Sequence, residues 1–199
     1  AILRVRPPPP SPPCLTLFTY TTLWLSVVDL TTNNADVKLQ TGGSLTIDQQ
    51  LNVGSGNLLL VAAGNLTQTA RIQANGLGLM IDGTTNLQHS ANNVAVFAAH
   101  TEGSLLYYDI NDVTIGSVTV DGMTVNGLVT SHDDVKITMG GNLSIEQSVS
   151  LGSANLFLHV AGNVAQSASI QANGLGLMVN GTTNLQHPAN NVAVLAASN

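Results

Sequence analysis

Residues 36–101 return as residues 134–199 without insertion or deletion, and about 42 of the 66 paired positions are identical. QANGLGLM at 73–80 reappears at 171–178, and GTTNLQH at 83–89 reappears at 181–187, always at an offset of 98 residues. A fixed internal period marks a repeat architecture, in which each unit buries its apolar face against the next.

A finer rhythm runs inside the long period. Alternating apolar pairs recur at Val37 and Leu39, Leu58 and Leu60, Leu77 and Leu79, Val94 and Val96, Val113 and Ile115, then Val135 and Ile137, about 15 to 22 residues apart. Alternation of period two is the signature of a strand with one buried face. Glycine turns lead into it, as in GGSLTI, GNLLLV and GNLTQ. The spacing predicts a parallel β-solenoid, with five turns of roughly 20 residues in each 98-residue unit and about eight coils in all. Composition agrees: the chain is 44% hydrophobic and only 8% charged, so Asn, Thr, Ser, Gln and Gly must cover its surface, as suits short strands and tight turns. Asn57, Asn65, Asn75, Asn86, Asn155, Asn163, Asn173 and Asn184 stand beside Gly or Thr, where left-handed turn geometry and side-chain ladders between coils are expected.

The array is expected over 29–199, as one unit at 36–133 and a partial copy at 134–199. Residues 1–28 do not share the pattern. AILRVRPPPPSPPC is Pro-rich, and the apolar run after it is too short and too polar to cross a membrane as a helix. The likeness between 28–38 and 126–136 stops abruptly upstream, so this stretch reads as disordered, foreign or frame-shifted sequence. A signal peptide with Arg4 and Arg6 as its basic region is a weaker reading.

Net charge is −6 with five basic residues, which excludes a phosphate-neutralising stripe and anionic-lipid docking. Cys14 is the one cysteine, so stacking rather than an intrachain disulfide must hold the fold. Catalysis on polysaccharides would need carboxylates beside a basic group. The candidates are the acidic group Asp121, Asp133 and Asp134, together with Asp109 and Asp112, and Lys136 is their one evident basic companion. Turn capping explains them equally well, so no catalytic residue, metal ligand or cofactor is assigned. His89 and His187 share a repeat position; five coils at ~4.8 Å would hold them ~24 Å apart, too far for one metal. Tyr107 and Tyr108 are adjacent, so one must point outward, and this pair is the best candidate for surface contact.

VKLQTGGSLTI, GNLLLVAAGNLTQTARIQANGLGLMIDGTTNL and NNVAVLAA resemble the repeat shafts of filamentous haemagglutinin-like exoproteins and large autotransporter adhesins of Gram-negative bacteria. The resemblance covers about residues 30–199 and implies a right-handed parallel β-helix, exported across the outer membrane. It further implies a non-enzymatic shaft of a secreted or cell-surface adhesin, whose receptor or glycan partners are met through the full-length protein. No nucleic acid partner and no membrane insertion by this segment are expected, and further solenoid repeats would adjoin both ends. The family's Asn-Pro-Asn secretion motifs and an aromatic-rich barrel do not occur here. Two other readings remain, a polysaccharide-active β-helix enzyme and an ice-binding solenoid, the latter needing a flat ladder of Thr-x-Thr across coils.

Overall fold

The computed structural model describes residues 29–198 with their side chains and, within 1–28, the backbone of the strands Ile2–Leu3, Cys14–Thr19 and Trp24–Val27. The expectation of disordered or foreign sequence over 1–28 otherwise lies outside the described residues. Among the described residues every regular element is a strand, and all strand pairings but one are parallel, giving a β-solenoid of about eight coils.

Each coil contributes to three columns of stacked strands. In the first copy, column one stacks Asp36–Thr41, Asn57–Ala62, and the later parts of Ile72–Ile81 and Asn93–Thr101. Column two stacks Ser44–Ile47, Leu66–Gln68, Thr85–Leu87 and Leu105–Asp109. Column three stacks Leu30–Thr31, Leu51–Asn52 and the early parts of the two long strands. Because side chains alternate, every second residue enters the interior in register. Val37, Leu58, Leu77 and Phe97 form one inward row, and Leu39, Leu60, Leu79 and Ala99 the next. All eight are buried, each large aliphatic contributing about 1.5–3 kcal/mol from area removed from water. One core cluster runs unbroken from Leu30 to Val179, so no boundary separates the copies.

The copies are nevertheless out of phase. Down column two the chain steps from Leu45 to Leu66, Thr85, Leu105 and Val135, gaining 21, 19, 20 and then 30 residues. Val135 is the copy of Val37, which belongs to column one. The 98-residue offset therefore equals four coils and one further face, not the five turns that the spacing predicts. The long step is long because Ser117–Val120 and Met123–Asn126 leave the coil as an antiparallel hairpin of 10 residues, which leaves the ordinary 20 for the coil itself. Val135–Met139, Asn155–Val160 and the later parts of Ile170–Val179 and Asn191–Ser198 then continue column two. As a result His89 and His187 follow strands of different columns, four coils apart. That separates them by ~19 Å along the axis alone, still too far for one metal.

The asparagines ladder as expected but are not left-handed. Positive φ outside glycine falls on Asp29, Asn34, Asp121 and His132, and none of the eight asparagines is among them. Asn65 Oδ1 accepts the Thr84 N–H at 2.9 Å and Asn163 Oδ1 the Thr182 N–H at 2.8 Å, while the amides of Asn75 and Asn173 donate to Asn57 Oδ1 and Asn155 Oδ1 of the preceding coil and Asn86 accepts from Gln88 within its own coil. Asn34 and its copy His132 share one corner, at φ of 61° and 68°, and each accepts the N–H of the serine one coil on, Ser55 or Ser153. Asn and His are among the residues that tolerate this region. The buried Asn92 donates to Gln68, Leu87 O and Tyr108 O and accepts from Ile72 N–H, so its amide is satisfied inside an apolar core. Asn190 repeats the arrangement with Gln166, Ile170 and Leu185.

Candidate functional site

The least repetitive feature is the hairpin. Val118 faces Val125, Val120 faces Met123, and Asp121–Gly122 form the two-residue loop with φ of 52° and 72°. Two positive φ values in a two-residue loop match the twist of an antiparallel hairpin, and Asp-Gly is a preferred pair for it. Alternation places Val118, Val120, Met123 and Val125 on one side, and that side lies on the outward face of column one. It buries Leu59 and Ala98 and packs against Val61, Met80 and Val96. A methyl group on Gly78 would stand only 3.3 Å from Val118 and 3.2 Å from Leu59, so the glycine lets the hairpin approach the sheet. Lys38, 7% exposed, brings its Nζ to 4.0 Å from Asp121 Oδ2 at the hairpin loop. Nothing in the reading of the sequence above located this hairpin, although VTVDGMTV, alternating aliphatics about Asp-Gly, is the strongest short-range signal for one.

A second feature lies inside the core at the same level. Leu105, Tyr107 and Asp109 alternate inward, so Tyr107 is sealed and stacks on Phe97 with ring centroids 4.1 Å apart. The Tyr107 hydroxyl donates to Asp109 Oδ2 at 2.8 Å, the Val94 N–H donates to the same oxygen at 3.0 Å, and the Asn111 N–H donates to Oδ1 at 3.0 Å. Burial pushes the Asp109 carboxyl up to about 6 against the hydrogen bonds that lower it, and burial followed by the neighbouring carboxylate pushes the Tyr107 phenol well up. Both side chains are closed to solvent, so this pair fastens the coil at the change of phase and meets no substrate.

The remaining candidates are dispersed. Tyr108 points outward and is half-buried, while Tyr107 is the inward member of the pair. Asp121 belongs to the hairpin loop and has Lys38 as its basic companion rather than Lys136. Asp133 and Asp134 lie in the turn entering Val135–Met139, where Asp134 Oδ1 accepts from the Asn155 N–H at 2.8 Å and from its side-chain amide at 3.0 Å. Asp36 accepts from Asn57 N–H in the same way in the first copy. Asp112 accepts two bonds from Asn142, whose N–H and amide hold its carboxyl below the usual range. Lys136 instead lies over the Phe157 ring at 5.8 Å. Among the described residues no three His, Cys, Asp or Glu side chains are grouped to hold a metal ion. The outward row that carries Thr46 and Thr67, 3.3 Å apart, continues as Asn86, Leu106 and Lys136, so its hydroxyls do not extend beyond Thr67.

No helix of the described residues is long and apolar enough to cross a membrane. The chain matches no protein-family model, no curated protein and no solved structure.

Proposed function

We propose that this chain is a shaft segment of a secreted or cell-surface bacterial exoprotein of the adhesin type, whose work is to space and present binding regions elsewhere in the protein. The observation that supports the reading best is the single core from Leu30 to Val179, which crosses the repeat boundary without a break. A rod resists bending when parallel ladders on all sides share one packed interior, and a continuous core supplies that. At ~4.8 Å per coil, about eight coils give a rod of roughly 40 Å, extendable by adding coils without changing the cross-section. The likeness of the repeats to exoprotein shafts favours the bacterial surface as the place where such a rod is used. An antibody raised against the folded chain should label intact cells of the source organism. Labelling confined to lysed cells would overturn the assignment.

A further inference from the structure

The hairpin brings a further donor atom to a row of the sheet that already holds two. Facing outward from column one, Gln40, Val61, Met80, His100 and Val129 stand in register on successive coils. Met80 and His100 are direct neighbours in that row, on strands ~4.8 Å apart, with a valine on either side. The second hairpin strand, Met123–Asn126, lies against Ile72–Ile81 and Asn93–Thr101, the two strands that carry Met80 and His100. Three of the four hairpin side chains turned toward the sheet are valine, and the fourth is Met123. Met80 and Met123 pack against the same apolar cluster and are half-buried, while His100 is exposed. Among the described residues no three His, Cys, Asp or Glu side chains are grouped, so any metal site here must draw on thioether sulfur.

We infer that Met80, His100 and Met123 form a site for a soft monovalent cation, Cu(I), held by two thioether sulfurs and one imidazole nitrogen. Thioethers select Cu(I) among the common metal ions, and imidazole suits copper as well. Metal–nitrogen and metal–sulfur bonds of ~2.0–2.3 Å let one ion bridge donors about 4 Å apart, close to the spacing that neighbouring strands supply. Val61 and Val129 border the pair in its row, and their side chains offer none of the oxygens that a harder ion would need. Met80 and His100 belong to the coils and Met123 to the hairpin, so a bound ion fastens the roof to the sheet beneath it. In the second copy the row reads Thr138, His159, Met178 and Ser198, which leaves His159 and Met178 as an adjacent pair of donors. That pair is a two-donor comparison within the same molecule, and it binds the ion more weakly than the three-donor site. The inference stands apart from the shaft assignment, because such a site could be carried by a β-solenoid of any function.

Methionine methyl and histidine ring resonances provide the test. The probe is Ag(I), a redox-inert stand-in for Cu(I), added as silver nitrate at about pH 8, where imidazole is ordinarily neutral. The 199-residue chain carries Cys14→Ser for this purpose, because a thiolate would otherwise take the first equivalent. Silver should shift the Met80 and Met123 methyls and the His100 ring with one common midpoint, leave the core methyl of Met139 in place, and reach Met178 only at severalfold higher concentration. His100→Ser, which takes the residue found at the copied position 198, should weaken binding about tenfold or more while the hairpin stays docked. Met123→Leu, which keeps the volume and removes the sulfur, should weaken it similarly. The inference is overturned if the Met80 and Met123 methyls stay unmoved or respond with different midpoints, if Met178 responds first, or if either variant binds as tightly as the parent. It is also overturned if Zn(II) moves the same methyls at the same concentration, which would mean an imidazole site indifferent to sulfur. None of these outcomes bears on the shaft assignment, which the labelling of intact cells decides.

Discussion

Column one of the first copy and its counterpart in the second are built from nearly the same residues, yet one is roofed and the other open. Leu59 and Phe157 occupy equivalent positions on outward rows. Leu59 is inaccessible because ten residues leave the coil and fold back over it, while Phe157 is half-buried with the Lys136 Nζ 5.8 Å from its ring centroid. An outward position in a solenoid is thus not exposed by its place in the repeat. What lies outside the coil decides, and here that same excursion also sets the angular phase between copies. The inner rows, by contrast, have much the same burial in both copies until the end of the second, where Leu177 is 6% exposed against 0% for Leu79 and Leu195, in the last strand, is 65% exposed against 0% for Phe97.

The largest expected difference between the copies comes from that contrast. Leu79 is stacked between Leu60 and Ala99 in the middle of the core, so Leu79→Asp buries a charge with no partner and should remove more than ~4 kcal/mol, abolishing cooperative folding of the adjacent coils. Leu177→Asp should remove less, because fraying of Asn191–Ser198 exposes the new charge to water. Thermal unfolding followed by far-ultraviolet circular dichroism checks both. Equal melting temperatures for the two variants would show that the end coil is as firmly held as the middle.

The outward pair gives the next largest effect. Leu59→Asp should cost ~2–4 kcal/mol, with a ceiling set by undocking of the hairpin, and should shift the Met80 and Met123 methyls together. Phe157→Asp, on the open face, should change stability by less than ~1 kcal/mol. If the two substitutions prove equally costly, the second face is covered in solution and the comparison fails.

These contrasts also show what could be read from the residues alone. The inward rows were legible because Val37 and Leu39, Leu58 and Leu60, Leu77 and Leu79 repeat with period two at a coil spacing, and burial of both members was then a matter of stacking. The phase was not, because Val113 and Ile115 lie on a further face of the coil that already holds Leu105–Asp109, so a count of apolar pairs takes them for a fifth turn. Alternation required one of Tyr107 and Tyr108 to face inward but not which. Asp109 decides it afterwards, since an aspartate two residues from Tyr107 shares its face and receives the phenolic hydrogen bond. The acidic group dissolved for a similar reason: Asp133 and Asp134 belong to a coil corner, whereas Asp121 travels with the hairpin to Lys38.

Two aspartates near the change of phase should respond to pH with opposite sign. Asp109 has its carboxyl raised from 3.8 to about 6 in the folded chain, so protons bind the folded state more tightly than the unfolded one. Its contribution to stability is greatest below pH 3.8 and is lost as pH rises through about 6, a change of ~3 kcal/mol. Asp112 is lowered by Asn142, so its contribution is present above pH 3.8 and lost as pH falls below that value. Urea midpoints measured from pH 4 to pH 7 should therefore fall with rising pH in the parent and flatten in Asp109→Asn. An unflattened profile would place the responsible group elsewhere.

The smallest effect separates charge from packing in the roof. Lys38 Nζ and Asp121 Oδ2 are 4.0 Å apart, and Asp121 is exposed, so solvent screens the pair and its worth is expected below ~0.5 kcal/mol. Asp121→Asn retains a residue that tolerates positive φ in the loop and removes only the charge. The variant should melt within a degree or two of the parent at low salt and become indistinguishable from it in molar salt, where the Debye length falls to ~3 Å. Its hairpin should stay seated, with Met80 and Met123 methyls unmoved, because Val118, Val120 and Val125 hold it through apolar burial. Loss of the docked hairpin on this single change would make the ion pair, rather than the valines, the feature that seats it.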